Sequence, residues 1–128
     1  MERETMLQRI DAAYAARAAG DRAAVADHWE PGATYRLAGE ATVTPALPGD
    51  AIQAVNALID LFEFHELERV HAVVEGDSAA IHWRVRVSTP GGEPVEAEIY
   101  DLWRFAASGR VASLVQFTDT ALIVRMLA

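Results

Sequence analysis

The chain has 128 residues, of which 52% are hydrophobic, and this suits one domain with a core of its own. Its formal net charge of −8 argues against nucleic acid and anionic membrane surfaces, because both attract basic proteins. The absence of cysteine excludes disulfides and thiolate metal sites. Since no apolar run has the length of a signal peptide or a membrane span, we expect a cytoplasmic protein.

Helical spacing and capping residues dominate the first half of the chain. They predict helices at residues 6–19, 22–29 and 51–64. Gly20 is a stop signal for the first helix, and Asp21 and Asp50 are placed to cap the other two. Pro31 and Gly32 predict a turn after the second helix. A strand and a loop are predicted between the second and third helices, at residues 33–37 and 39–49.

The second half of the chain alternates apolar and polar residues, which is typical of strands. The predicted strands lie at residues 66–75, 79–88, 95–105 and 111–117, and a short helix follows at about 118–127. In the second of these strands, Trp83 shares one face with other apolar residues, whereas His82, Arg84 and Arg86 share the opposite, outer face. Asp119 is placed to cap the terminal helix.

Helices that come first and strands that follow indicate an α+β fold. We expect three N-terminal helices packed on a curved, mostly antiparallel sheet, with a short C-terminal helix, in a single domain over residues 1–128. A sheet wrapped over helices in this way would enclose a cone, and the inner face of that cone is the natural place for a ligand.

Short motifs support this expectation by their order and spacing. They lie at residues 18–21, 31–35, 49–52, 75–79, 100–105, 108–111 and 116–119. Together they resemble the NTF2-like superfamily, which includes ketosteroid isomerases, limonene epoxide hydrolases and SnoaL-like polyketide cyclases. The resemblance covers nearly the whole chain and implies the cone-shaped fold, a small hydrophobic ligand that carries a carbonyl group, no cofactor, and a homodimer formed through the outer sheet face.

The segment Tyr-Asp-Leu-Trp-Arg-Phe at 100–105 is most similar to the ketosteroid isomerases. In those enzymes a protonated Asp and a Tyr form an oxyanion hole, while a second Asp is the base. The resemblance places Asp101 at the protonated Asp, Leu37 at the base, and Ala13 at the Tyr, with Tyr14 one residue away. One residue turns a helical side chain by about 100°. We therefore expect Asp101 to be an acid or hydrogen-bond donor, without steroid isomerisation.

Two other catalytic patterns of the superfamily are incomplete. Epoxide hydrolases use an Asp–Arg–Asp set, for which this chain offers Arg84 but has Arg86 and Gln116 in place of the carboxylates. SnoaL-like cyclases place an acid near Gln116, and an amide cannot do acid–base work. His65 matches a His that is common in SnoaL-like sequences and is the candidate general base near neutral pH, the alternative being a surface or capping His.

The predicted catalytic residues are therefore Asp101, Tyr14 and His65. The predicted ligand-binding residues are Tyr35, Phe62, Arg69, Trp83, Trp103, Leu114 and Gln116. For the aromatic residues the alternative is a plain core role, and for Arg69 it is an exposed ion pair with Glu66 or Glu68. The histidines lack a metal-binding pattern, so we expect no metal.

These features leave two classes of function open. The first is an isomerase- or cyclase-type enzyme in which Asp101 is the acid or hydrogen-bond donor for a small hydrophobic ligand. The second is a non-catalytic domain that binds such a ligand or associates with another protein. The absent base favours binding, or an unfamiliar form of the enzyme.

Overall fold

The structure of the protein is a computed structural model that describes residues 1–39 and 47–128. In chain order the elements are α1 (Arg3–Ala19), α2 (Arg22–His28), β1 (Trp29–Leu37), α3 (Ala51–Leu61), β2 (Glu63–Glu75), β3 (Ser78–Ser88), β4 (Val95–Phe105), β5 (Val111–Thr118) and α4 (Thr120–Leu127). The α+β class that the sequence predicts is confirmed. Most of the predicted loop at 39–49 lies outside the described residues.

The helix boundaries follow the capping residues that the sequence offers. Gly20 ends α1 in the left-handed conformation, at a φ of +67° that a residue with a side chain seldom adopts. The carboxylates of Asp21, Asp50 and Asp119 each accept a hydrogen bond from the backbone N–H three residues further on, and so cap α2, α3 and α4. All of these predicted caps are confirmed.

The predicted boundaries are wrong in two regions of the chain, because sheet pairing extends further than the local pattern indicates. Helix α3 ends at Leu61 instead of residue 64, and β2 begins at Glu63, which pairs with Ser88 of β3. Pro31 and Gly32 lie inside β1 instead of forming a turn. Strand β1 is at the edge of the sheet and its register shifts between Trp29 and Thr34, so this segment accommodates a proline and a glycine at a φ of +80°.

The sheet has the strand order β1-β5-β4-β3-β2. Strands β2 to β5 form the predicted antiparallel meander, and β1 joins β5 in parallel. Along β3 and β4 the buried side chains alternate with exposed ones, and the buried face packs with the helices into the hydrophobic core. A polar residue at one of the inward-facing positions, such as Asp101, is therefore buried in the interior.

The other face of the sheet is partly apolar and open. Val73, Tyr100, Leu102 and Phe117, which we call the outer patch, are each about half exposed, at 48–55%. The ring of His82 stacks on Tyr100, with their centroids 4.3 Å apart. Within residues 1–39 and 47–128, no helix is long and apolar enough to cross a membrane.

Candidate functional site

Asp101 lies in the middle of β4 with only 3% of its surface exposed. It shares the inner face of the strand with Ile99, Trp103 and Phe105, which are all buried. Its neighbours in register are Ile81 on β3 and Gln116 on β5. Because side chains alternate between the two faces of a strand, the position of Asp101 in β4 places its carboxyl group on the inner face, among apolar side chains.

Three donors converge on the Asp101 carboxylate. The Tyr14 hydroxyl donates to Oδ2 over 2.5 Å, and the Trp83 indole Nε1 donates to the same oxygen over 3.0 Å. The Gln116 Nε2 donates to Oδ1 over 3.2 Å. Both carboxylate oxygens are therefore occupied as acceptors, an arrangement that suits the ionised form.

The hydrogen bonds continue away from Asp101 to a buried cation. Gln116 Nε2 also donates to the Tyr14 hydroxyl over 2.9 Å, and its Oε1 accepts from the Tyr35 hydroxyl over 2.6 Å. Tyr35 in turn accepts from Arg17 Nη1 over 3.2 Å. Because each bond fixes the role of the next group, the side-chain amide of Gln116 has one orientation. We call these six side chains the buried network: Tyr14, Arg17, Tyr35, Trp83, Asp101 and Gln116.

Burial and hydrogen bonding act on Asp101 in opposite directions. Burial raises the pKa of its carboxyl to about 6, against the lowering effects of the Tyr14, Gln116 and Trp83 hydrogen bonds and of the Arg17 charge. At neutral pH the carboxylate therefore predominates and accepts hydrogen bonds. The sequence left two roles open for Asp101, a group that donates to a ligand and a carboxylate bonded to a nearby Tyr or Trp, and the structure shows the contacts of the second.

The two phenols of the buried network stay neutral at physiological pH. Burial, together with the charge of Asp101, raises the pKa of Tyr14 well above its ordinary value. Burial also raises the pKa of Tyr35 to about 12, although the Arg17 charge opposes that change. Both hydroxyls therefore keep their protons and act as hydrogen-bond donors within the network.

Helix α1 supplies Tyr14 and Arg17. The apolar stripe of the helix is wide enough for both Ala13 and Tyr14 to face the interior, so Tyr14 reaches Asp101 although it stands one residue from the expected position. Sequence reasoning missed Arg17. The signal was its spacing, because it lies seven residues after Ile10 and three after Tyr14, on the same face of the helix.

An apolar cavity of about 50 Å³ lies next to the buried network. Among the lining residues in the described part of the chain, only Arg17, Gln116 and Thr118 are polar or charged. Most of the apolar lining comes from β1, α3, β2, β3, β4 and α4, and Phe62, which lies between α3 and β2, is also part of it. Ligand pockets usually have at least ~300 Å³, so the cavity must widen before it can hold a drug-sized molecule.

Helix α4 is the element best suited to such a widening. Its residues Leu122, Ile123, Met126 and Leu127 line the cavity, yet none of its side chains is fully buried. Its first turn is held by the Asp119 cap. A short helix with so little burial opens at low free-energy cost compared with the sheet.

A second, much smaller cavity of about 10 Å³ is also lined by Arg17. It is lined by the predicted catalytic residue Tyr14 and by three predicted ligand-binding residues that do not line the larger cavity, Tyr35, Trp103 and Leu114. The indole N–H of Trp103 is buried and has no hydrogen-bond partner among the described residues. Because Arg17 lines both cavities, it stands at their junction.

Two predicted site residues lie apart from this arrangement. The exposed His65 on β2 contacts the Ser88 hydroxyl through Nε2 at 2.8 Å, and it lines neither cavity. Arg69 forms an ion pair with Asp11 over 2.8 Å, instead of with Glu66 or Glu68. It borders a surface cleft whose walls also include Tyr14 and Trp83. In the described part of the chain, no group of three or more His, Asp or Glu side chains could hold a metal ion.

The sequence matches the model of the family described as the SnoaL-like domain over residues 10–114. No curated protein matches the sequence. The fold is similar to that of a candidate isomerase from Rhodopseudomonas palustris, with a TM-score of 0.80 and 18% identity over 99% of this chain and 98% of the other.

Two further solved structures are similar over nearly their whole length. One is an NTF2-like protein of unknown function from Burkholderia pseudomallei, with a TM-score of 0.78 and 17% identity over 100% of this chain and 99% of that one. The other is TerC co-crystallised with polyporic acid, with a TM-score of 0.76 and 14% identity over 96% and 98% of the two chains. At these identities the likeness establishes the fold alone.

Proposed function

The chain belongs to the SnoaL-like domain family of NTF2-like proteins, and from this premise we propose that it binds a small hydrophobic molecule in the cavity beside the buried network. The carrying observation is that Arg17 and Gln116 belong both to the buried network and to the cavity lining. A ligand there would rest its apolar body on α3, β3 and α4. A similar fold has been co-crystallised with polyporic acid in TerC.

We expect the ligand to present an oxygen acceptor, such as a carbonyl, to the network. Both N–H groups of the Gln116 amide are used, by Tyr14 and by Asp101. Arg17 uses one of its five N–H donors, for Tyr35. Arg17 is therefore the donor that has capacity left for a ligand oxygen.

We further propose chemistry of the isomerase or cyclase type, with Asp101 as the group that takes up and returns a proton. The pKa of about 6 supports this role, because a general acid–base group works best when its pKa lies near the working pH. The Tyr14 hydroxyl, which is hydrogen-bonded to Asp101 and borders the small cavity, is the natural relay toward a ligand. His65 and Arg69 have no part in this proposal as the structure stands.

Asp101→Asn is the direct test of this role. Binding of a panel of hydrophobic carbonyl compounds would be followed by tryptophan fluorescence, and turnover of the compounds that bind by product analysis. We expect Asp101→Asn to retain binding and to lose turnover, because the amide keeps the shape but cannot exchange a proton. Asp60→Asn, which changes an exposed carboxylate in an ion pair with Arg22, is the matched control and should leave both unchanged.

The outcomes of this test separate the two candidate functions. Turnover that persists in Asp101→Asn would remove Asp101 from the chemistry. Binding without turnover in the wild type would favour the non-catalytic binding module. Absence of fluorescence change across the whole panel would count against a ligand in the cavity.

The outer patch favours a second role, association with another copy of the chain. Its half-exposed side chains come from β2, β4 and β5 and would be covered in a homodimer packed sheet to sheet. The exposed ion pairs His82–Glu98 and Arg84–Glu68 border it. Light scattering on the purified protein should give the mass of a dimer, and Leu102→Asp should give a folded monomer. A wild-type monomer at high concentration would refute this role.

A further inference from the structure

Arg17 is a buried cation whose binding capacity is mostly unused. Only 9% of its surface is exposed, and its single hydrogen bond to residues 1–39 and 47–128 goes to Tyr35. Its guanidinium lies 4.9 Å from the ring centroid of Phe64 and 5.7 Å from that of Tyr14. Among the residues that the structure describes, no carboxylate lies within ion-pair distance of it.

A charge buried without a direct partner is costly, so a protein core seldom keeps one for packing alone. The carboxylate of Asp101 compensates Arg17 only through two intervening side chains, Tyr35 and Gln116. Phe64 and Tyr14 offer π-faces to the cation but no hydrogen-bond acceptor to its remaining N–H groups. The guanidinium is therefore fixed in place by its neighbours and still lacks an acceptor with negative charge.

Two independent features place this cation at a ligand position. Arg17 lines the apolar cavity as well as the small one, so it borders the space in which a ligand would enter. The small cavity is also lined by Trp103, whose buried indole N–H has no partner among the described residues. Both residues that line the small cavity and carry unused donors, Arg17 and Trp103, therefore lie next to the space in which an acceptor group could enter.

We propose that the ligand is an apolar acid, whose carboxylate or similarly acidic oxygen pairs with Arg17 while its hydrocarbon part occupies the cavity lined by α4. This inference rests on the proposed function, because it assumes that the cavity takes a ligand. Beyond the proposed function, it specifies that the ligand is negatively charged and that Arg17 recognises this charge. A guanidinium matches a carboxylate especially well, since two parallel N–H groups can bind its two oxygens.

The test compares two probes that have the same ring system and differ in charge. 2-Naphthoate and 2-naphthamide would be titrated by calorimetry into the full-length wild type, Arg17→Met and Arg22→Met. We expect the wild type to bind naphthoate about tenfold or more tightly than naphthamide, because a hydrogen bond to a charged group is stronger than one between neutral groups. Arg17→Met should abolish this preference, because it weakens naphthoate binding much more than naphthamide binding, which loses only a hydrogen bond to a neutral acceptor.

Arg22→Met is the matched control, because it removes the same charge from an exposed ion pair on α2. It should leave the preference for naphthoate intact. If Arg17→Met does not fold, Arg17→Lys takes its place, since it keeps the charge and loses the planar fork, and it should weaken naphthoate binding alone.

Different results would overturn the inference about the acid and the proposed function. If the wild type binds both probes with equal affinity, or Arg17→Met keeps the preference for naphthoate, the inference about the acid is overturned and the apolar cavity stands. If neither probe binds the wild type, the proposed function itself fails for this class of ligand, and the inference fails with it.

Discussion

The two sides of the cavity are built on different principles. One side carries Arg17 and Gln116, which belong to the buried network, whose six side chains are each at most 9% exposed and joined by hydrogen bonds. On the other side α4 covers the cavity with apolar side chains, none of which is fully buried. The comparison teaches that the polar side of the cavity is preorganised. We expect the entry of a ligand to depend on the other side, because α4 is less buried.

The largest expected effect comes from removing an aromatic ring beside the buried network. Trp103 is 2% exposed and stacks on Trp29, with a centroid distance of 5.9 Å. Trp103→Ala should lower the free energy of unfolding by about 3–5 kcal/mol in denaturant titrations, because it leaves a large cavity. Met126→Ala on α4 should cost less than about 1.5 kcal/mol, because the side chain is only half buried. Equal losses would contradict the comparison.

The pH dependence of stability tests the Asp101 carboxylate. Its pKa is about 6 when folded and 3.8 in the reference state, so the folded protein binds this proton more tightly than the unfolded one. The resulting stabilisation, roughly 3 kcal/mol for such a shift, is fully present below pH ~4 and is lost as pH rises through ~6. Unfolding free energies of the wild type minus those of Asp101→Asn should show this slope. Parallel profiles would mean that the folded-state pKa is ordinary.

Removing the Tyr14 hydroxyl should have an intermediate effect. In Tyr14→Phe the Asp101 carboxylate loses one donor and Gln116 loses one acceptor, so we expect a loss of about 1–3 kcal/mol in unfolding free energy. The pKa of Asp101 should rise further, because the lost hydrogen bond had lowered it. Tyr100→Phe on the exposed outer patch is the control and should cost less than about 0.5 kcal/mol. A Tyr14→Phe protein as stable as this control would show that the hydrogen bond contributes little.

The smallest effect concerns local opening at α4. Its amides should exchange with deuterium much faster than those of β4, through openings that leave the sheet intact. Saturating 2-naphthoate should slow exchange in α4 if the helix closes over the ligand. Hydrogen exchange resolved by peptide would measure both. Protection in α4 equal to that in β4 would remove the distinction between the two sides of the cavity.

The sequence already contained the α+β class and the caps at Asp21, Asp50 and Asp119, because local spacing and capping chemistry determine them. Gly20 likewise ended α1 as predicted. Such features depend on neighbours a few positions away in the chain, so a reader of the sequence has all of the necessary information.

Only the tertiary structure determines which residues from distant parts of the chain contact each other. The bond from Tyr14 to Asp101 spans 87 positions, and that from Gln116 to Tyr14 spans 102. The same packing turned Arg17 toward the cavity, left His65 outside it, and drew Pro31 into an edge strand. The sequence alone pointed to Asp101 as a candidate acid or hydrogen-bond donor. Only the tertiary structure determined which donors surround it and hence that it is a carboxylate at neutral pH, because a pKa depends on groups brought together from distant parts of the chain.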